Sequence, residues 1–561
     1  MPKDKLQVGL ILDEWSVEAW KYRLIECIQR SNCAEVSLVV LNDFGPRGRA
    51  PSERQTAGAD AAHGSSPSFL GRFWDSAERF LVGRPGHLPN ALERLDAHRL
   101  LDGTRTLTIH PTVQQSYSRV DEADLASLRN CRVDVLIRLC RQDLRGSLAQ
   151  AVRHGVWSLR VGDARHAEAG VPGRMEVLGS SPVIASVLEA QIGDAEEPLV
   201  LRESYSSTNI HSLQDNASAV LWKSLHFIPR ALSELHRLGE EAFWVRIMGQ
   251  NPSSPVPHSE RVSASTDIAR VGLLWKKFME ALVRKWNARF HFDQWFLLYD
   301  LSSAVSTDFA RFKYILPPKD RFWADPFVVS RDDKFYVFFE ELLYAENKGR
   351  ISVLEIDKDG NVGTPTTILE TPYHLSYPFV FEFGNDLYMI PESKQNKTIE
   401  LYKCTAFPYK WEFQKNLMAG CMATDATLLQ WQGRWWMFVS QVETEGASTW
   451  DELFLYFSDN PLSTDWTPHA QNPVVSDVRS ARPAGRLFEQ DGRLFRPSQN
   501  SSGHYGYGFN ICEIVKLTET EYEETVVEQI EPSWNTNIVS THTFNYVDGL
   551  TIIDGQLRRR Q

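Results

Sequence analysis

From residue 290 onward the chain repeats itself, and this repeat restricts the fold more than any other feature. A short apolar strand recurs as Pro326-Phe-Val-Val, Pro378-Phe-Val-Phe, Ala426-Thr-Leu-Leu, Ala484-Gly-Arg-Leu and Thr543-Phe-Asn-Tyr. Each is followed by a turn, at Asp332-Asp333, Gly384-Asn385-Asp386, Gln432-Gly433, Asp491-Gly492 and Asp548-Gly549. A second strand then begins at Phe335, Leu387, Trp435, Leu494 and Leu550, at offsets of 9, 9, 9, 10 and 7 from the first. Four units continue into a third strand: Gly349 to Ile356, Lys397 to Cys404, Asp451 to Ser458, and Gly508 to about Val515. Repeats of hairpin-linked strands that share one apolar pattern stack around an axis, so residues 289–561 are expected to form an all-β five-bladed propeller. The fifth unit has no third strand of its own. A closed ring leaves no blade with an open edge, so the missing strand is expected from Trp295 to Asp300.

In such a ring the first strand of each blade lines the axis and the second returns antiparallel to it. The residue ahead of each first strand then lies at the same mouth as the end of the second. One ring of positions reads Asp325, Tyr377, Asp425, Pro483 (beside Arg482) and His542; the other reads Glu340, Glu392, Ser440, Gln499 and Gly555, with Glu341 and Asn500 adjacent. The apolar positions of the repeat are uniform while these vary, as expected when blades supply packing and the rim supplies chemistry. The candidate catalytic residues are Asp325, Asp425, Glu392 and Glu340, as paired acid and base on a sugar. Candidate substrate contacts are Arg482, His542, Tyr377, Gln499, Glu341, Trp323 and His374. The competing reading is that the carboxylates form turns and cap strands, that His374 and His542 are structural, and that Arg482 only neutralises the acids. No spacing demands a metal, and no cofactor is expected.

The rest of the chain has a different texture. Leu6 to Leu12, a helical stretch from Ser16 to about Ser31, and Val36 to Leu41 form a βαβ unit. Val133 to Leu139 and Val156 to Val161 supply further buried strands, so residues 1–245 read as an α/β domain. Gly45 to about Pro67 reads as a mobile insertion. Gln250 to Ser265, with three prolines and five serines, reads as a linker within the segment 246–288, and a helix from about 268 to 287 leads into the propeller.

A net charge of −12 with dispersed basic residues argues against nucleic acid as a partner, and Arg558-Arg559-Arg560 reads as a solvated tail. Seven scattered cysteines without a CxxC spacing point to neither a disulfide framework nor a zinc knuckle. No signal peptide or apolar membrane span is visible, so a reduced, cytoplasmic setting is expected, with any lipid-linked substrate met at the membrane surface.

Phe322-Trp-Ala-Asp-Pro-Phe327, His374-Leu-Ser-Tyr-Pro-Phe379, Met389-Ile-Pro-Glu-Ser393, Asp425-Ala-Thr-Leu428, Arg482-Pro-Ala-Gly485 and Arg496-Pro-Ser-Gln499 form an ordered set. Over about residues 290–530 it resembles the propeller in the N-terminal region of plant glucosamine inositolphosphorylceramide transferases and their bacterial relatives. The resemblance implies a carbohydrate ligand. In the plant proteins a separate glycosyltransferase domain follows the propeller, and with no counterpart here their transferase activity is not expected to carry over. More distantly the fold resembles the furanosidase propellers (arabinanases, xylosidases, invertases), which carry one acid in each of the first three blades. Asp325 and Asp425 match two of these, whereas Tyr377 stands where the second blade has Asp. The N-terminal domain resembles formyltransferases (a Rossmann-like fold) through Asp134-Val-Leu-Ile137, His154-Gly-Val-Trp-Ser158 and Gly162-Asp163. Ser158-Leu159-Arg160 replaces their Asn-x-His motif, which removes the oxyanion donor and proton shuttle. Asp163 and Arg160 remain as candidate ligand contacts, with a helix-sheet scaffold as the plainer account.

The expected function is an intracellular carbohydrate-active protein. It would carry out glycosyl transfer or related glycosidic chemistry on an activated or lipid-linked sugar in glycoconjugate or polysaccharide assembly. The alternatives are a non-catalytic glycan-binding scaffold and, third, an acyl or formyl transferase on an amino sugar.

Overall fold

The strand missing from the fifth repeat comes from the segment ahead of the first. In the computed structural model His291–Asp300 pairs antiparallel with Leu550–Arg560, from His291 opposite Arg560 to Asp300 opposite Thr551. The structure describes residues 4–43, 87–113, 118–141, 144–145, 147–162, 171–195, 197–210, 212–251 and 289–560, together with 275, 276, 279, 282, 283 and 286. The expected insertion after Gly45, most of the linker after Gln250, and Asp163 lie outside these residues. The chain divides into two compact units. One comprises Met1–Ser204, Thr208–Phe278 and Thr444–Ala447; the other comprises Tyr205–Ser207, Met279–Glu443 and Ser448–Gln561.

The second unit is a five-bladed propeller. Blade one runs Arg321–Arg331, Lys334–Leu343, Lys348–Asp357 and Thr366–Leu369, and blade two runs Ser376–Phe383, Asp386–Ser393, Thr398–Ala406 and Lys410–Ala419. Blade three is Met422–Trp431, Arg434–Val442, Leu453–Ser458 and Thr467–Pro468; blade four is Phe488–Gln490, Arg493–Asn500, Gly508–Leu517 and Tyr522–Ile530. Blade five joins Phe544–Val547 and Ile538–Ser540 to Leu550–Arg560, then His291–Asp300, then Lys313–Ile315. Two strands rather than one thus come from the N-terminal side. The outer strands escape a hydrophobicity reading because they are largely solvated, as in Lys410–Ala419 and Tyr522–Ile530. Arg558-Arg559-Arg560 belong to this closing strand rather than to a tail, with Arg558 and Arg560 exposed as expected. Arg558 pairs with Asp293 at 3.0 Å, and Arg559 donates to Gln294 and, at 3.3 Å, to the Pro317 carbonyl.

Three inner strands share one irregularity. Asp325, Tyr377 and Asp425 have φ of 53°, 44° and 58°, and at each the pairing register skips, between Ala324 and Phe327, Ser376 and Phe379, and Thr424 and Thr427. This is a β-bulge whose first residue is left-handed. It turns one side chain per blade out of the alternation, and for Asp and Tyr it carries a conformational cost that glycine would not. Blade four differs. The expected strand at Ala484-Gly-Arg-Leu is reduced to a bridge between Pro483 and Ser498 and the short Phe488–Gln490. Gly485, at φ 140°, sits against blade five so closely that a Cβ would meet the Phe544 carbonyl oxygen at 1.9 Å.

The first unit contains a seven-stranded mixed sheet. Five strands, in the order Val156–Val161, Val135–Arg138, Leu6–Leu12, Ala34–Asn42 and Arg105–Ile109, run parallel. Val183–Gln191 adds antiparallel to the first of these, and Leu199–Ser207 lies beyond it. Ala19–Arg30 is the crossover helix of the expected βαβ unit; its Leu24, Ile25 and Ile28 are fully buried against the sheet. Arg160 pairs with Glu189 on the neighbouring strand. What the structure defines here is an α/β unit; the antiparallel edge departs from a purely parallel, doubly wound sheet. None of the seven cysteines is in a disulfide.

Deleting residues 1–285 is expected to leave a cooperatively melting propeller, because blade five keeps all its strands. Deleting 1–300 removes His291–Asp300 and exposes Leu550–Arg560 as an apolar edge. Light scattering should report aggregation of the second truncation and not the first; identical behaviour would mean that His291–Asp300 does not close the ring.

Candidate functional site at the propeller mouth

The bulges aim Asp325, Tyr377 and Asp425 at the axis, and what lies across the axis from each decides its role. Tyr377, fully buried, crosses from blade two. Its hydroxyl lies 2.9 Å from Thr427 Oγ1 on blade three and accepts the Gly485 N–H on blade four at 2.8 Å. Arg486 of blade four donates to the Val380 carbonyl of blade two, and Asn545 of blade five donates to the Pro326 carbonyl of blade one at 2.7 Å. The axis is therefore barred by polar ties beneath the mouth.

Above these ties lies a cleft of about 330 Å³, lined by Glu340, Glu392, His374, Arg482 and His542, with Trp295, Phe322, Trp450 and Tyr505 as aromatic walls and Lys394 and Ser376 at the side. Arg482 is 6% exposed and paired with two carboxylates. It donates through Nε to Asp425 Oδ2, and through Nη2 to Asp425 Oδ1 at 3.1 Å and to Glu392 Oε2 at 3.3 Å. Its guanidinium lies 5.0 Å over the Tyr505 ring. Gln499 donates to Asp425 at 3.1 Å. Opposite, His542 stands between two carboxylates, Nε2 3.2 Å from Asp325 Oδ1 and Nδ1 2.8 Å from Asp554 Oδ2. Thr543 Oγ1 donates to Asp325 at 2.9 Å, and Asp554 accepts the backbone N–H groups of Asp325, His542 and Thr543. His374 accepts the Gly349 N–H at Nδ1, 2.9 Å away, which leaves Nε2 to donate to Glu340 Oε1 at 3.2 Å.

Burial under so many carboxylates separates their protonation states. Burial, then Asp425, pushes the Glu392 carboxyl up to about 8 against the pull of Arg482. Burial also pushes Asp325 up to about 7, opposed by His542 and assisted by Glu340, Asp425 and Asp554. For His542, burial disfavours the charge, but Asp554 and Asp325 outweigh it and raise the ring to about 9. Asp554 is held below the ordinary carboxylate range: burial opposes this, and His542 outweighs it. Donor atoms of Asp325, His542 and Asp554 lie within 4.8 Å of one another, a spacing a cation could share. Both imidazole nitrogens face carboxylate oxygens, so a protonated ring fits the central position between them.

Of the residues singled out from sequence, Glu340, Glu392, Arg482, His542 and His374 line the cleft. Asp325, Asp425, Gln499 and Tyr377 form the layer beneath. Glu341 and Trp323 lie elsewhere: Trp323 Nε1 donates to Glu341 Oε1 at 3.1 Å, and Arg321, Arg350 and Ser352 complete that buried carboxylate's shell. Sequence reasoning did not single out Asp554, Tyr505, Trp450 or Lys394. Asp554 had a signal, being the one charge in the apolar run Leu550 to Gly555.

The fold and this cleft define a class: five-bladed propellers whose axis is barred below and acidic and aromatic above. Residues 316–543 match the family described as glucosamine inositolphosphorylceramide transferase 1, N-terminal. The glucosamine inositolphosphorylceramide transferase 1 of Oryza sativa subsp. japonica is 38% identical over 209 residues, 37% of this chain and 28% of the relative. That of Arabidopsis thaliana is 31% identical over 258 residues, 43% of this chain and 34% of the relative. The match thus spans about a third or less of these curated relatives' own length. Among solved structures, a family 117 glycoside hydrolase of Zobellia galactanivorans is 9% identical, over 48% of this chain and 90% of that one, at a TM-score of 0.31. The catalytic domain of a Coprinopsis cinerea GH62 α-L-arabinofuranosidase is 10% identical, over 47% and 97%, at 0.33. Similarity at that level carries nothing about activity.

A carboxyl raised by folding favours its neutral form, so the stability it contributes is complete below its ordinary pKa and is lost as pH rises through the folded value. For Glu392 that loss runs from its ordinary value of 4.5 up to about 8 and is complete above it. Glu392→Gln keeps the neutral shape, so its melting temperature should decline less than that of wild type between about pH 5 and 8. Parallel curves would mean that Glu392 does not titrate in this window.

Proposed function

We propose that the propeller mouth carries out glycosidic-bond chemistry on a sugar, with Glu392 as proton donor and Glu340 as the opposing carboxylate. The observation that carries this reading is the pairing of two cleft-lining carboxyls in unlike surroundings. Glu392, held neutral near pH 7, has a proton to give to a departing glycosidic oxygen. Glu340, oriented by the Nε2–H of His374, can accept a proton from an attacking hydroxyl or approach the anomeric carbon itself. The faces of Trp295, Tyr505 and Trp450 suit the apolar faces of a pyranose or furanose ring. Asp325 and Asp425 act from the layer beneath: through His542 and Arg482 they fix the charge around the reacting centre. A match to a family named for a glucosamine inositolphosphorylceramide transferase further supports a sugar-bearing substrate. Whether the acceptor is water or a second hydroxyl separates hydrolysis from transfer, and we take transfer to an acceptor sugar or lipid-linked glycan as the fuller proposal.

With a panel of nucleotide sugars, lipid-linked sugars and oligosaccharides read by mass spectrometry, turnover should fall as pH rises through about 8. Glu392→Gln and Glu340→Gln should each lower kcat by about 10²–10⁴-fold, the usual worth of a general acid or base. Their ligand affinity should be largely retained. Unchanged kcat in both variants, or an effect on affinity alone, would reduce the cleft to a glycan-binding site.

A further inference from the structure

Ahead of the propeller's closing strand lies a stretch, 275–290, whose described positions are helical and turn their apolar side chains to solvent. From these residues we infer that the stretch is a peripheral anchor that lies in the interface of an anionic lipid bilayer. Positions 275, 276, 279, 282, 283, 286, 289 and 290 are helical. Met279, Leu282, Val283, Trp286 and Phe290 are 42, 45, 54, 69 and 46% exposed. At about 100° per residue, these five fall within an arc of about 100°, the width of a face that would normally be buried. The same period reaches back to Trp275 in the sequence. The rings of Trp286 and Phe290 touch, with centroids 5.2 Å apart, so the aromatic end of the stripe is one continuous apolar surface.

Charge indicates what covers this stripe. Between Arg270 and Phe290 the sequence has six basic residues (Arg270, Lys276, Lys277, Arg284, Lys285, Arg289) and one acidic residue, Glu280, within a chain of net charge −12. A second copy would bring the same positive charge to the same face. An anionic bilayer offers the opposite charge together with an apolar interior, and it is the occupant that satisfies both. Arg289 falls just outside one edge of the stripe on the helical projection, where a long basic side chain reaches headgroups while the stripe sinks beside it. Tryptophan and phenylalanine are favoured at that depth. Among the described residues no helix is long and apolar enough to cross a membrane. The inference stands apart from the chemistry of the cleft.

The test is co-sedimentation of the full chain with phosphatidylcholine vesicles, with and without phosphatidylserine. Wild type should bind the phosphatidylserine vesicles, bind the neutral ones weakly, and release as salt rises. The double variant Leu282→Glu, Trp286→Glu should partition roughly 100-fold less, since each large apolar side chain is worth about a decade on burial. Its circular dichroism and melting temperature should match wild type, because both side chains are exposed. Arg289→Glu should weaken binding to the charged vesicles alone. No binding by wild type, or equal binding by the double variant, would overturn the inference. So would a wild-type dimer that the double variant disperses without any vesicle binding.

Discussion

The fifth blade of this propeller is complete only because strands from the two ends of the propeller sequence pair with each other, and one wall of the mouth depends on that pairing. Trp295 comes from His291–Asp300, and Asp554 comes from Leu550–Arg560. His542 comes from the loop before the inner strand of the same blade. The tryptophan ring packs 4.3 Å from the imidazole. One wall of the cleft is therefore also the seam of the ring. Loss of the seam removes the wall, so binding at the mouth and closure of the fold cannot be separated energetically.

The second constraint is charge. Five carboxyls, Asp325, Asp425, Asp554, Glu340 and Glu392, are gathered where water has little access, and they are tolerable because two cations are placed among them. Arg482 spans from blade four to blades three and two, and His542 joins Asp554 to Asp325. These bridges cross between blades whose sheets share no strand pairing, so the electrostatic balance of the site also braces the axis. Arg482 holds Asp425 and Glu392 through Nε and Nη2 and faces Tyr505 with its guanidinium plane, so two of its three nitrogens already serve to neutralise the acids.

Much of this was legible in the sequence because the inner hairpins repeat with a fixed offset, which locates Asp325, Tyr377, Asp425, Glu340 and Glu392 without coordinates. The reading went astray where adjacency was taken for a shared direction. Glu341 follows Glu340 in a regular strand and so must face the other way, where it meets Trp323. Asp554 was passed over because the offset of the fifth repeat is short, and aligning it on Leu550 selects the neighbouring Gly555. Trp450, Tyr505 and Lys394 come from connections between strands, whose lengths differ from blade to blade and so follow no period. In the first unit the βαβ pattern gave a parallel pair correctly. The antiparallel strand Val183–Gln191 alternates buried and part-buried positions and lacks the continuous apolar run that marks Leu6–Leu12 as a parallel strand.

Tyr377 makes the mouth a cup rather than a tunnel. A polymer cannot be threaded through a cup. Whatever enters it, and the water it displaces, must leave by the same opening. A single phenolic hydroxyl, held by a threonine and a glycine on two other blades, thereby gives the cleft one way in and out.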